Sequence, residues 1–382
     1  MYKLSIAVPT KDRFDYLKYL IDAYLEINTE YIELVISDNS NTNELCFDYL
    51  KKISNNNIKY YHSQVQMSQA ENCNYAISKC NGKFVTLLGD DDCISAKILD
   101  VTKYMEEMNI QSSYFTKIIY RWPDVELSKE NIRNKLTANA HLRIPVVTGK
   151  ITSLNTTDEL VRCLQEGFHR LGKMPRVYHG IIEKKILDTV YTKTGTYFPG
   201  PSPDMASSVA LSLVVSSHVI IDYPYIFSGQ GFNSAAGLGL RNKHKGNLSE
   251  IHFLPKNIED LWDNRIPKIW TGETIYIISA ISALKSMSRE DLINKIDFSN
   301  HYANFLSNHR EYKSMVIDKI HENDISLYLI LFRVFLIHIR KWLSLIKWNF
   351  LKRSKKEKNL NYYKVPNSIM AAKIADSKIG NL

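Results

Sequence analysis

The 382-residue chain is poor in the residues that mark several common chemistries, with 15 glycines, 11 prolines and five cysteines. Cys46, Cys73, Cys80, Cys93 and Cys163 make no CxxC or zinc-ribbon spacing, and their odd number describes no disulfide framework. They read as reduced thiols of a cytosolic protein. No GxxxxGK[ST] run occurs, and no GxGxxG follows the first strand, which excludes the glycine loops that cradle phosphates in those two classes. No GxSxG elbow is present either. The N-terminus lacks a signal-peptide layout, because its apolar stretch is short and Lys11, Asp12 and Arg13 follow at once. No uninterrupted apolar run of about 20 residues occurs, so a transmembrane helix is not expected.

What remains is an ordinary folded composition, 45% hydrophobic and 11% aromatic. The net charge is +9, and the bases gather late, above all between Lys352 and Lys358. A nucleic-acid binder would interleave bases with aromatics on its folded face, so that class is set aside.

The first 120 residues alternate between strand and helix. Leu4 to Val8 is a buried-strand run ending at Pro9-Thr10. Phe14, Leu17, Leu20, Ile21, Tyr24 and Leu25 have helical spacing. Ile32 to Ile36 is a second strand, ending in Asp38-Asn39-Ser40, and a helix follows from Leu45 to Ile53. Asn57 to Tyr61 is a third strand. Ser68 and Glu71 have the spacing of a capping box, predicting a helix to about Cys80. Phe84 to Leu88 is a fourth strand, running into Gly89 and three aspartates. Such alternation predicts a mostly parallel sheet covered on both faces, with ligands at the carboxyl ends of its strands. Three polar clusters then share one rim: Pro9 to Asp12, Asp38 to Ser40, and Asp90 to Asp92. Beyond residue 121 the pattern blurs. Pro199 to Asp204 reads as a loop entering a helix at Met205. Gly229 to Gly246 reads as a mobile basic loop carrying Arg241, Lys243, His244 and Lys245, and 255 to about 322 reads as helical.

Three adjacent aspartates repel one another unless cations or donors neutralise them. A hard divalent cation with oxygen ligands does this and can bridge to phosphate oxygens. A solvated acidic turn is the plainer reading of an isolated triplet; its place at a strand end favours the metal.

Four motifs in order carry a resemblance. They are Ser5-Ile6-Ala7-Val8-Pro9-Thr10-Lys11-Asp12-Arg13, Glu33 to Ser40, Ser68 to Ala76, and Gly82 to Asp92. Together they resemble the donor half of family-2 glycosyltransferases of the GT-A fold, in the bacterial surface-polysaccharide type. Gly89 departs from the aromatic or apolar residue common before the triplet. The resemblance implies a Rossmann-like α/β fold with a mostly parallel central sheet and a helical C-terminal region. It implies a GT-A domain over 1–250, divided into a nucleotide-sugar half (1–120) and an acceptor half (121–250), followed by helices over 251–382. It implies that Pro9, Thr10 and Asp12 line a nucleobase pocket, with Asp38 accepting from a uracil imide and Asn72 reaching the base or ribose. Arg13 either supports that pocket or starts the helix. Asp90 and Asp91 would lie near ribose or metal, with Asp92 as the direct ligand of Mn²⁺ or Mg²⁺. Asp204 would be the general base of an inverting transfer, the alternative being a helix N-cap. Arg241 and Lys243 could close over the diphosphate, and His244 could complete the metal shell. His179 is a weaker metal candidate, more in keeping with a packed or surface ring.

The donor implied is a nucleotide diphosphate sugar, UDP first. The acceptor implied is a hydroxyl of a surface glycan such as capsule or lipopolysaccharide, free or lipid-linked. A sugar nucleotidyltransferase and a non-catalytic scaffold of the same fold are the alternatives. The apolar stretch from Ile325 carries Trp342, Trp348 and several bases, which suits an interfacial helix on anionic lipid at the inner face of the cell membrane. A core helix with a solvated tail would explain it equally simply. Nothing in the sequence speaks to oligomeric state.

Overall fold

The computed structural model describes residues 2–125, 139–241, 243–251, 253–353 and 359–379. The basic run Lys352 to Lys358 therefore falls largely outside the described residues. The N-terminal alternation comprises β1 (Leu4–Thr10), α1 (Phe14–Leu25), β2 (Ile32–Asp38), α2 (Glu44–Lys51), β3 (Ile58–His62), α3 (Gln69–Ser78) and β4 (Phe84–Leu87). β2 is buried along its whole length, as a strand covered on both faces must be. α1 turns Leu17, Leu20, Ile21 and Tyr24 inward, and Ser68 and Glu71 do form a capping box at the start of α3.

The chain continues through β5 (Cys93–Ile94), α4 (Ile98–Glu107), β6 (Ser112–Phe115), β7 (Ile118–Arg121), β8 (His141–Ile144), β9 (Ile151–Ser153) and α5 (Thr156–Gln165). Then come β10 (Gly180–Glu183), α6 (Lys184–Thr194), α7 (Pro203–Ser212), β11 (His218–Ile221), β12 (Ile226–Gln230) and α8 (Ala235–Leu240). The last part contains α9 (Gly272–Ser286), α10 (Phe298–Asn308), α11 (Lys313–Glu322), α12 (Leu327–Arg353), β13 (Leu360–Tyr362) and α13 (Ser368–Ile379).

Eight strands form one sheet in the order β3-β2-β1-β4-β10-β6-β11-β9. β3, β2, β1 and β4 are mutually parallel, whereas β10 runs antiparallel to both β4 and β6. α1 and α4 bury one face of this sheet, in a core that includes Ile6, Leu20, Leu34 and Ile98. On the other face Ala7, Ile77 and Val85 pack with Leu187 and Leu211. A second sheet has the order β13-β8-β7-β12-β5.

Two features differ from the sequence reading. The glycine-rich stretch is not a plain loop: Gly229 lies in β12, and α8 follows, capped by the Ser234 hydroxyl accepting from Gly237. The C-terminal region is helical as expected, but it also contributes one short strand. β13 pairs with β8, and α13 packs Ala371 and Ala375 beside Trp122 of the N-terminal half. Ser95 donates to Asp376 across that contact at 2.8 Å. The apolar spacing of the last helix was too weak to show where it docks.

Candidate active site

The ends of β1, β2 and β4 come together as parallel neighbours, which places the three polar clusters side by side. Thr10 is paired with Asp38 in the register of β1 and β2. The Thr10 hydroxyl donates to Asp90 Oδ2 at 2.7 Å. Asn72 of α3 donates to the Thr10 carbonyl at 3.1 Å and accepts from the Ser37 hydroxyl at 2.5 Å. Its amide is thus spent on joining β1 to β2. Asp38 accepts from the Tyr60 hydroxyl at 2.7 Å and from the Ser40 amide at 2.9 Å. Asp12 sits in the left-handed region at φ 53° and accepts from both the amide and the side chain of Asn41. Pro9, one residue before Thr10, pairs with Ser37. A cavity of about 190 Å³ opens here, lined by Thr10, Asp12, Arg13, Asp38, Ser40 and Cys46 among others.

The aspartate triplet is buried, and its three members differ. Arg13 lies 2.9 Å from Asp90 Oδ1 and 3.4 Å from Asp91 Oδ2. Burial works to lower the Arg13 pKa, but Asp90 and Asp91 outweigh it and hold it raised. Asp90 is pushed up to about 7, by burial before anything else, with Arg13 opposing. Asp91 is raised for the same reason, although the Gly231 amide donates to its Oδ2 at 2.7 Å. Asp92 goes the other way. Its Oδ2 accepts from the Gly89 amide at 2.7 Å and lies 2.6 Å from His179 Nε2; its Oδ1 accepts from the Gly229 amide at 2.8 Å. Burial acts to raise Asp92, but His179 and these amides prevail and lower it.

Gly229 is required by this crowding, and Gly89 sits tightly within it. A Cβ on Gly229 would lie 1.8 Å from the Asp91 carbonyl oxygen. A Cβ on Gly89 would lie 3.0 Å from Asp91 Oδ1 and 3.2 Å from Asp92 Oδ2, which accounts for the departure noted at that position.

The third side of the site was scarcely legible in the sequence. His179, at φ 60°, is buried against Asp92 and stacks on Tyr178 with ring centroids 3.8 Å apart. Burial lowers the His179 pKa, and its Nδ1 has no hydrogen-bond partner. Burial, Asp92, Asp91 and Asp204 together raise the Tyr178 phenol far above its ordinary value, so the triplet and Asp204 act on one side chain. Asp204 is half-buried in the first turn of α7 behind Pro203. Its pKa is raised to about 6 by burial, with Lys117 and Arg176 opposing and Asp92 adding to the rise. Arg176 and Lys117 stand over the Tyr114 ring, at 4.1 Å and 5.7 Å from its centroid. A lone aromatic in a Tyr-rich chain gives no signal, and neither Lys117 nor Arg176 lies in a motif.

The basic residues of the glycine-rich stretch are placed differently. Arg241 folds back over Phe232, 3.6 Å from its ring, and donates to its carbonyl at 2.6 Å. His244 packs against Phe253 and Trp270, and burial lowers its pKa. The Lys243 amide donates to the Leu238 carbonyl at 2.9 Å. Among the described residues none of these three is hydrogen-bonded or ion-paired to the aspartates. No group of three His, Cys, Asp or Glu side chains among them is arranged to hold a metal ion. The carboxylates nonetheless suit a hard cation in part. Asp90 Oδ1 accepts no hydrogen bond, and the raised Asp90 and Asp91 are short of positive charge. One or two carboxylates completed by phosphate oxygens are a normal Mg²⁺ site.

Residues 5–153 match the family model described as glycosyl transferase family 2, the stretch in which the four motifs lie. Among solved structures the chain resembles residues 1–349 of S. aureus TarS in complex with UDP-GlcNAc. The TM-score is 0.52 at 13% identity, over 84% of this chain and 80% of that one. The same protein in complex with UDP aligns over 83% and 79%, at 13% identity and a TM-score of 0.49. The fold is of the GT-A type, an α/β architecture around a mostly parallel sheet with a helical C-terminal region. No curated protein matches the chain in sequence.

Proposed function

We propose that the chain is an inverting glycosyltransferase that moves a sugar from a nucleotide diphosphate, UDP first, to a hydroxyl of a surface glycan such as capsule or lipopolysaccharide. The observation that carries this reading is that the parallel strands β1, β2 and β4 bring Thr10, Arg13, Asp38 and three buried aspartates to one rim, in a chain whose first part matches a glycosyltransferase family. The likeness in fold to a protein solved with UDP-GlcNAc is in keeping with a UDP-sugar.

In this reading the 190 Å³ cavity takes the nucleobase, with Asp38, Asp12 and Thr10 around it and Asn72 fixing the rim, while Pro9 stands outside its lining. Asp204 accepts the proton of the acceptor hydroxyl. A carboxylate titrating near 6 is ionised at neutral pH yet basic enough for that task. The acceptor oxygen then attacks the anomeric carbon, the bond to the diphosphate breaks, and its electron pair leaves with the nucleotide. The product carries the opposite anomeric configuration. Arg13 offsets Asp90 and Asp91, so that a diphosphate is not repelled from them. A divalent cation, Mn²⁺ or Mg²⁺, would be held by Asp90 and Asp91 together with the phosphates, supplying charge neutralisation for the leaving group. Asp92, with its three protein contacts, supports this site rather than opening toward it. Arg241, Lys243 and His244 would join only after the 231–246 segment rearranges.

The acceptor side of the proposal includes a membrane. No helix among the described residues is long and apolar enough to cross one. α12 nevertheless exposes Tyr328 (87%), Phe332 (58%), Phe335 (58%), Trp342 (62%) and Ile346 (46%), at spacings that align them on one face. The helix has no acidic residue; of its bases Arg333 is paired with Asp297 at 2.6 Å, whereas Arg340 and Lys341 are exposed. Pairing two copies would set like charges together, whereas anionic lipid complements them.

The test is a panel of sugar nucleotides with Mn²⁺ or Mg²⁺. One donor should be hydrolysed slowly, and transfer should disappear in Asp204→Asn. Pyrophosphate release from a nucleoside triphosphate and sugar phosphate would instead identify a nucleotidyltransferase.

A further inference from the structure

A second cleft, of about 630 Å³, adjoins the nucleobase cavity and has no part in the reaction above. It lies between the outer face of α1, the turn after β7, the start of the segment after β12, and Pro366 ahead of α13. Its volume is in the range of ligand sites.

The lining is chemically selective. Tyr16, Tyr19, Trp122 and Phe232 supply aromatic surface, and Asp15 and Asp124 supply acceptors. The Trp122 ring is held by Tyr16 and Tyr19 at centroid distances of 4.9 and 5.5 Å. The Tyr16 hydroxyl donates to Asp124 and accepts from the Phe232 amide at 3.0 Å, which joins three walls of the cleft. These rings are therefore fixed before anything binds. Pre-fixed aromatics beside carboxylates match a sugar ring: the apolar C–H face rests on the rings, and the hydroxyls donate to the carboxylates. The charge balance selects further. Among the described residues Arg13 is the one cation of the lining and is committed to Asp90 and Asp91, while Asp12, Asp15 and Asp124 contribute three carboxyl groups. A phosphate or uronate would be repelled, and a neutral or amine-bearing sugar would not.

The position adds a role. Asp12, Arg13 and Asp15 line both cavities, so the cleft opens beside the donor pocket. Trp122 Nε1 donates to the Asp91 carbonyl at 2.9 Å, and the Gly231 amide, next to Phe232, donates to the Asp91 carboxylate. A ligand in the cleft leans on the residues that hold the triplet.

We infer that this cleft is a glycan-binding subsite for a neutral or amine-bearing sugar residue of the acceptor, away from the reacting hydroxyl. The choice of an acceptor glycan rests on the glycosyltransferase reading; the binding itself does not. The test uses the full chain without donor, titrated by calorimetry with trisaccharides of glucose, N-acetylglucosamine, glucosamine and galacturonate. At least one of the first three should bind, the galacturonate should not, and saturating UDP should not displace the ligand. Tyr19→Ala and Asp124→Asn should each weaken binding at least about tenfold while donor hydrolysis stays at the wild-type rate, which also reports that the variants fold. Binding of none of the first three, preference for galacturonate, displacement by UDP, or unchanged affinity in both variants overturns the inference. Loss of donor hydrolysis in the wild-type chain would instead overturn the glycosyltransferase reading and leave the binding result standing.

Discussion

The N-cap of α7 is Ser202, so replacing Asp204 by Asn separates a working base from a first-turn aspartate that only supports the helix, because the two roles predict opposite changes in stability. An acid in the first turn of α7 gains from the helix dipole, so as a mere structural element its neutralisation would cost about 0.3–1 kcal/mol. The environment of Asp204 indicates the contrary. Burial raises its pKa to about 6 from an ordinary 3.8. The folded state therefore holds the proton more tightly than the unfolded chain. The resulting penalty is absent below pH 4, grows between pH 4 and 6, and is complete above pH 6. A rise of roughly two units is worth about 3 kcal/mol, which partial exposure of the group reduces to about 1–2 kcal/mol. Asp204→Asn should thus be more stable than the parent by that amount at pH 8 and equal to it near pH 4, as read by urea denaturation at both pH values. Sugar transfer should fall by about 10²–10⁴-fold, the usual contribution of a general base. In the parent, kcat/KM should drop tenfold per pH unit below about 6. A variant that is less stable at pH 8, or that transfers sugar at close to the parent rate, refutes the assignment.

Asp92→Ala should lower stability by about 3–5 kcal/mol in thermal or urea unfolding, since three buried donors lose their acceptor. Asp90→Asn should leave the fold nearly intact and abolish the response of donor hydrolysis to Mn²⁺ or Mg²⁺; equal loss of stability in both would show that the aspartates are not divided as described. Chelation should stop donor hydrolysis in the parent, and added Mn²⁺ or Mg²⁺ should restore it. The pair Phe332→Glu and Trp342→Glu should reduce sedimentation with anionic vesicles by at least about 100-fold, because each exposed aromatic offers about 1.5–3 kcal/mol on burial. Unchanged sedimentation would remove the membrane from the proposal.

The parts of this molecule that the sequence announced are those whose information is local. β1, β2 and β4 are short, mostly apolar segments between turn residues, α1 has a 3.6-residue stripe, and Ser68 with Glu71 marks the start of α3 within a single turn. The rim follows from them, because parallel strands bring their carboxyl ends together. The far side of the site depends on long-range pairing instead. His179 reaches Asp92 only because β10 inserts antiparallel beside β4. Gly229 reaches it from β12, in a different sheet. Likewise β13 completes the second sheet at a distance of more than two hundred residues from β8. A three-residue strand carries too little pattern to announce such a partner.

That difference in range explains why the three aspartates were easy to find and hard to tell apart. As a sequence they are equivalent, and the last of a triplet is the natural choice for a metal. Packing breaks the equivalence. Each amide given to Asp92 stabilises its charged form and uses one of its lone pairs, which holds its pKa down where burial would raise it. Asp90 and Asp91 share Arg13 and receive the Thr10 hydroxyl and the Gly231 amide, and burial still holds both raised. Among the described residues the triplet is then one carboxylate held by three donors beside two buried carboxylates that share Arg13.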